Sequence, residues 1–362
     1  MNKNIVLLLI LWGFSVFFFC DKKSTIHFPL ERILLKIESV SPNGEYAIVN
    51  ICDLSDARIK LRDYYHPLMQ FVLDSKSCQY WPLLDTTIFY DAWYFAWSRD
   101  SKKVLFSATL HQPKDTFDLF PIYLYDLQSR ISTNLKKPWL NTPHYNIPLF
   151  SYRESEIIFW APGVIVDTLQ PSYTTIGRVF KWDTLQKSIT EIINNENITS
   201  AKWIGLYDTT DLFVQANNIL WRLSLSTGDL DNILPEVRIV REIRRCKNKI
   251  VFPGTSEDEH NRIFVYDLEK EFLETIFDYN KGTILSASIN NTNKLAVETI
   301  KDGQYWIFIM LEDGSVLDSV KGYTPFWLAG TDSLIYSEGE KISLAYWQKK
   351  QLKREIILEI VR

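Results

Sequence analysis

What most constrains this chain is a two-part phrase that recurs along it. In AWSRDSKKVLFS (Ala96–Ser107) an apolar run ending at Trp97 meets a polar turn, and a second apolar run leaves it. Its partner stretch, IYLYDLQSR from Ile122, is another apolar run that enters a tight turn. The first half recurs as VSPNGEYAIV from Val40, FSYRESEIIF from Phe150, WIGLYDTTDLFV from Trp203, IRRCKNKIVF from Ile243, ASINNTNKLAV from Ala287 and WLAGTDSLIY from Trp327. The second half recurs at Phe71, Tyr123, Phe180, Trp221, Phe264, Phe308 and Leu344, and Asp74, Asp126, Asp183 and Asp267 close it in four copies. A fixed phrase at this spacing is the mark of a repeat architecture.

Each half reads as two strands flanking a turn of Asn, Gly, Asp, Ser or Lys. Four short strands make an antiparallel meander that cannot bury both faces alone. Stacking seven such copies radially buries those faces, and closing the ring leaves few edges. The fold class is therefore all-β: a seven-bladed β-propeller of four-stranded antiparallel blades. The 14% aromatic content, with 12 Trp and 18 Tyr, suits bulky inter-blade cores. Second strands are expected at Ala47–Val49 and Val104–Phe106, and the outermost strand of the last blade at Arg354–Val361. Glu31–Ile37, if extended, is expected to pair at the ring closure.

SPNGEY and WSRDSKKVLF resemble the S-P-D-G-K repeat of TolB-like, WD40-like (PD40-type) propellers, and IYLYDL resembles the strand that follows it there. The resemblance covers residues 37–362, and only the first copy keeps the Pro-Asn-Gly turn. It implies the fold and leaves the activity open, because that superfamily includes periplasmic scaffolds, peptidase-associated domains and lyases.

Residues 1–20 read as a signal, lipoprotein-like or anchor segment: Lys3 precedes an uncharged run, Ile5–Phe19, that is short for a membrane span. Cys20-Asp21 resembles a bacterial lipoprotein acylation site, although Phe17, Phe18 and Phe19 replace the small residue expected before the cysteine. Export is expected, with lipid attachment at Cys20 ahead of an uncleaved anchor. The protein would then be extracytoplasmic and membrane-anchored, periplasmic or on the cell surface. Residues 21–36 form a tether and first strand, and 37–362 the propeller.

Cys52 and Cys78 fall in one copy with a whole strand between them, too far apart for a disulfide, so free buried thiols are expected. A net charge of −4 and the lack of a basic stripe argue against nucleic acid. There is no G-x-S-x-G elbow and no Gly-rich phosphate loop. His66, His111, His144 and His260 would fall on one face. Some propeller lyases of related repeat type hold a metal with histidines. No pair here has the short spacing that fixes two ligands, so no metal and no cofactor are expected.

The connection between second and third strands departs from the repeat. It spans 22 positions from Val49 to Phe71, 17 from Phe106 to Tyr123 and 21 from Phe159 to Phe180, but 7 to 12 in the last four copies. The three enlarged connections carry Arg62, Tyr64, Tyr65, His66, His111, Asp115, Phe117 and Tyr173. The stretches between blades on the same face add Trp93, Trp139 and His144. Aromatic, arginine and acidic residues together fit a recognition surface. The expected function is non-enzymatic binding of a protein or peptide partner through blades one to three. The alternatives are a glycan lyase or hydrolase working in a central pocket, and a small-molecule-binding sensory module.

Overall fold

The computed structural model describes the chain from residue 24 to 361, apart from 28–32, 54–66, 85–88, 111–120, 136–146, 154, 167–172, 187, 199, 257–259, 279–281 and 349–350. It is a seven-bladed β-propeller. Blade one is β2 (Ile33–Val40), β3 (Tyr46–Asp53), β4 (Pro67–Asp74) and β5 (Tyr80–Pro82). Blade two is β6 (Phe89–Trp97), β7 (Lys103–Leu110), β8 (Ile122–Asp126) and β9 (Ile131–Asn134). Blade three is β10 (Ile147–Phe150), β11 (Glu156–Val166), β12 (Tyr173–Asp183) and β13 (Ser188–Asn195). Blade four is β14 (Ala201–Leu206), β15 (Asp211–Ala216), β16 (Ile219–Ser224) and β17 (Leu230–Asn232). In blade five the innermost strand is split into β18 (Arg238–Ile239) and β19 (Arg244–Cys246), followed by β20 (Lys249–Thr255), β21 (Asn261–Asp267) and β22 (Phe272–Asp278). Blade six is β23 (Thr283–Ile289), β24 (Lys294–Lys301), β25 (Gln304–Leu311) and β26 (Val316–Lys321). Blade seven is β27 (Tyr323–Trp327), β28 (Leu334–Glu338), β29 (Lys341–Gln348) and β30 (Gln351–Val361).

The repeat phrase has a physical cause at each of its parts. Second strands lie between neighbouring blades, so they are apolar on both faces, and every residue of Asp211–Ala216 is buried. Aromatic anchors of the second and third strands meet as cross-strand pairs: Phe106 stacks on Tyr123 at 5.8 Å, Phe159 on Phe180 at 5.2 Å and Phe252 on Phe264 at 5.7 Å. Six of the seven anchor pairs aligned from sequence are register partners. In blade seven the pairing is offset by one: Leu344 faces Ile335, and Tyr336 faces Ser343. The recurrent Asp ends the third strand because its carboxylate caps the turn. Asp74 accepts from the Lys76 and Ser77 amides, Asp183 from Leu185 and Gln186, and Asp267 from Glu269 and Lys270. The Ser129 amide does the same for Asp126 and holds its carboxyl below the usual range.

The ring closes differently from the expected arrangement. β30 completes blade seven, but it is not the outermost strand: β1 (Ser24–His27) adds to it in parallel, with Ile26 opposite Ile360. Of the Glu31–Ile37 stretch, the part from Ile33 on belongs to the innermost strand of blade one and pairs with β3. Buried Ile26 joins Ile33, Leu35, Ile342 and Leu358 in one core across the seam. Cys52, Cys78 and Cys246 are free thiols; the first two are buried and Cys246 is half-buried. Burial pushes the Cys52 thiol up to about 12.

Candidate functional site

Six of the seven innermost strands are irregular. The register shifts between Ile37 and Ser39, Trp93 and Ala96, Ala201 and Trp203, Ile284 and Ser286, and Tyr323 and Phe326, and blade five breaks between β18 and β19. A bulge leaves peptide groups without a partner in their own sheet, and buried peptide groups need one. At several junctions the preceding blade supplies it from one level of its second strand, a step beyond the anchor that pairs with the third strand. At that level stand Asn50, Ser107, Trp160, Gln215, Pro253, Glu298 and Ser337. Trp160 donates to the Ile198 carbonyl at 2.9 Å, Gln215 to that of Arg241 at 3.1 Å, and Ser337 accepts from the Ile37 amide at 3.2 Å. Glu298 accepts from the Thr324 amide. In blade one the neighbouring Gln70 takes the role: it accepts from the Ala92 amide at 2.7 Å and donates to its carbonyl at 2.9 Å. Among the described residues this polar belt stitches blade one to two, three to four, four to five, six to seven and seven back to one.

Charges intrude on the belt in one sector. Lys36 of blade one lies 3.0 Å from Glu38, which also accepts from Asn50 at 2.8 Å. Arg244 of blade five reaches past blade six to blade seven. Its guanidinium lies over the Phe326 ring, 3.8 Å from the centroid, and Nη1 donates to the Pro325 carbonyl. Nη2 is 3.8 Å from the Glu242 carboxylate. Glu298 of blade six accepts from the Ser286 hydroxyl at 2.6 Å and feels both Arg244 and Lys36, while Lys36 also feels Glu242. Blades one and five are not neighbours, so these charges influence one another across the ring rather than through direct contact. The Lys36 side chain is 30% and that of Glu242 59% exposed.

Burial disfavours the charge on Glu298 and raises its pKa, with Ser286, Arg244 and the Thr324 amide pulling the other way. Burial also opposes the Lys36 ammonium, but the Glu38 carboxylate more than offsets this and lifts Lys36 above the ordinary lysine range. The acids are held in place by hydroxyl, amide and ammonium donors.

Of the residues expected to form a recognition surface, Arg62, Tyr64, Tyr65, His66, His111, Asp115, Phe117, Trp139 and His144 lie outside the described residues, as does Cys20. Tyr173 begins β12 and pairs with Val166. Trp93 is not in a connection between blades: it sits within innermost strand β6, half-buried and paired with Ser107. It therefore shares the ring level of Lys36 and Ser286. His260 is exposed, 3.8 Å from Asp278. Among the described residues no group of three His, Cys, Asp or Glu could hold a metal ion. Sequence reasoning missed Lys36, Glu242, Arg244 and Glu298. The one available signal was Glu298, a lone carboxylate in the middle of the otherwise buried second strand KLAVETIK.

No family model matches the chain, and no curated protein does. Solved structures do. A prolyl endopeptidase is 14% identical over 90% of this chain and 50% of its own, with a TM-score of 0.58. The oligogalacturonate lyase of Vibrio parahaemolyticus is 8% identical over 90% of both chains, with a TM-score of 0.57. TolB from Acinetobacter baumannii is 14% identical over 79% of this chain and 62% of its own, with a TM-score of 0.48. The chain thus spans about half the length of the peptidase it matches. At these identities the likeness is one of fold: this chain shares the propeller architecture with proteins of different activities.

Proposed function

We propose that this propeller is a non-enzymatic module outside the cytoplasm, tethered to a membrane at its N-terminus, that docks a protein or peptide partner on one side of one face. The observation that carries this reading is an asymmetry in the connections between second and third strands, all of which open on that face. Blade four closes with Asn217-Asn218, both left-handed, blade six with Asp302-Gly303 and blade seven with Gly339-Glu340. Blades one to three instead insert 54–66, 111–121 and 167–172. Connections 83–88 and 135–146, between these same blades, join strands at the same face. Loops carried on a rigid scaffold are favoured places for recognition, and these connections carry Arg62, Tyr64, Tyr65, His66, His111, Phe117, Trp139 and His144.

A second reading has its own support in the charges that converge on the bore, which suit a small-molecule site there. The two separate by cross-linking. The full chain, bound to a captured partner and cross-linked, is expected to give adducts concentrated at 54–66, 111–121, 135–146 and 167–172. Adducts confined to blades four to seven would exclude the face reading. For the tether, the chain is expected to stay with membranes through a high-salt wash, and Cys20→Ser to release it if Cys20 is acylated. Recovery of the unmodified full-length chain in the cytoplasm would sink the membrane assignment.

A further inference from the structure

Three bore residues break the pattern of their ring positions. Arg244 pairs with Val251; the equivalent inner positions in other blades are small or apolar, among them Ser39, Ala96, Gly205 and Ser288. Lys36 stands where other blades have Trp93, Ile147 or Trp203, and Glu298 where they have Asn50, Ser107 or Ser337. The ring closes in the other blades without charges at these levels, so the fold does not require them here. The Glu298 carboxyl feels the charges of both Arg244 and Lys36.

The hydrogen-bond inventory of Arg244 is incomplete in a telling way. Its Nη1 is committed to the Pro325 carbonyl and its ring-stacked plane is fixed over Phe326. Nε is buried and has no partner, and the adjacent Nη2 meets only Glu242, at 3.8 Å, beyond hydrogen-bond distance. A buried guanidinium N–H left without an acceptor is costly, and such a vacancy asks for an explanation. The unpartnered Nε–Nη2 edge is a planar two-donor fork, the geometry that takes a carboxylate in two parallel hydrogen bonds. Lys36 spends one of its three donors on Glu38. The other acids nearby are already engaged, Glu38 by Lys36 and Asn50, and Glu298 by Ser286 and the Thr324 amide. Glu242, largely exposed, is the loose competitor for the fork.

We propose that the bore holds a carboxylate-binding site, in which the Nε–Nη2 edge of Arg244, assisted by Lys36, takes the carboxylate of a small acid or of a peptide's free C-terminus. Glu242 withdraws from the fork when the ligand enters. The site does not depend on the outer face being a docking surface, and either can fail alone.

The test uses the full propeller chain, with N-acetylglycine as the carboxylate probe and N-acetylglycinamide as its neutral counterpart, followed by titration calorimetry or ligand-observed NMR. Saturable binding of N-acetylglycine is expected, with the amide at least about tenfold weaker, since the fork would then face a group that cannot fill both donors. Arg244→Lys keeps the charge and loses the fork; it should weaken binding by about tenfold or more while the thermal melt stays close to wild type. Glu242→Ala should tighten binding several-fold, a change that a merely structural Arg244 would not produce. N-acetyl-triglycine with a free C-terminus binding more tightly than N-acetylglycine assigns the site to a peptide end; equal affinity assigns it to a small acid. Absence of saturable N-acetylglycine binding to the wild-type chain, or equal affinity in a folded Arg244→Lys variant, overturns the proposal.

Discussion

Blades three and four are neighbours built on the same phrase, yet their central hairpins differ. In blade four, Asp211–Ala216 and Ile219–Ser224 pair over six rungs and close through two left-handed asparagines. In blade three, Glu156–Val166 and Tyr173–Asp183 pair over eleven rungs, from Glu156↔Asp183 out to Val166↔Tyr173. Both blades complete the ring, so six rungs suffice for it. The surplus in blade three is free of that duty, and on the same side of the molecule blades one and two also carry additions. The difference separates what the ring needs from what something else has shaped.

The largest effects should fall on the shared part, equally in both blades. Phe159 and Phe213 are fully buried in the second strands of blades three and four. Phe159→Ala and Phe213→Ala are each expected to cost about 3–5 kcal/mol in chemical denaturation, the range for emptying a large buried aromatic site. A much smaller cost in blade three would mean that its hairpin is loosely attached to the ring and would break the comparison. Next comes the junction between the two blades. A Cβ on Gly177 would come within 2.0 Å of the Ile198 carbonyl oxygen, in the segment that leads into blade four. Gly177→Ala is therefore expected to cost about 1–3 kcal/mol, as overpacking does, whereas alanine at the exposed turn residue Gly303, which has open space around it, meets only backbone strain of about 1 kcal/mol. Equal losses at the two glycines would show that the blade interface is slack.

A smaller, pH-dependent effect distinguishes the charged sector from the rest of the belt. Because burial raises the Glu298 pKa, the folded state holds that proton more tightly than the unfolded chain does. The stability this contributes is present below the ordinary carboxylate range and is lost as pH rises through the folded-state value. Glu298→Gln should therefore raise the melting temperature by a few degrees near pH 8, and the gap should close towards pH 4. A gap that widens on acidification would reverse the sign of this argument.

The sequence revealed the hairpins because their signals are local. The capping carboxylates Asp74, Asp126, Asp183 and Asp267 and the anchor aromatics Phe106, Phe159 and Phe252 lie within a few residues of the turns and strands they define. The innermost strands were harder to read. Their bulges at Trp93–Ala96 and Tyr323–Phe326, and the break between Ile239 and Arg244, interrupt the two-residue period on which strand recognition depends. Trp93 was misplaced for that reason. The bore charges had no spacing signal at all. Lys36, Arg244 and Glu298 are brought together by ring closure across blades, and each is a single charge in its own segment. The strand β1 was hidden too, because Ser24–His27 is four residues long and its partner lies at the other end of the chain.

The central claim is that the additions on blades one to three serve a partner and the ring does not need them. It is tested most directly by replacing 54–66, 111–121 and the hairpin tip 162–176, one at a time, with Asn-Gly, and measuring partner affinity beside a thermal melt. In each trimmed chain the melt should stay within a few degrees of wild type. Affinity should fall by at least about tenfold, the loss of one interface anchor, while rebuilding the tight turns of blades four, six and seven changes neither. Unchanged affinity in all three folded trimmed chains would contradict the account, and collapse of the fold in all three would make the additions structural.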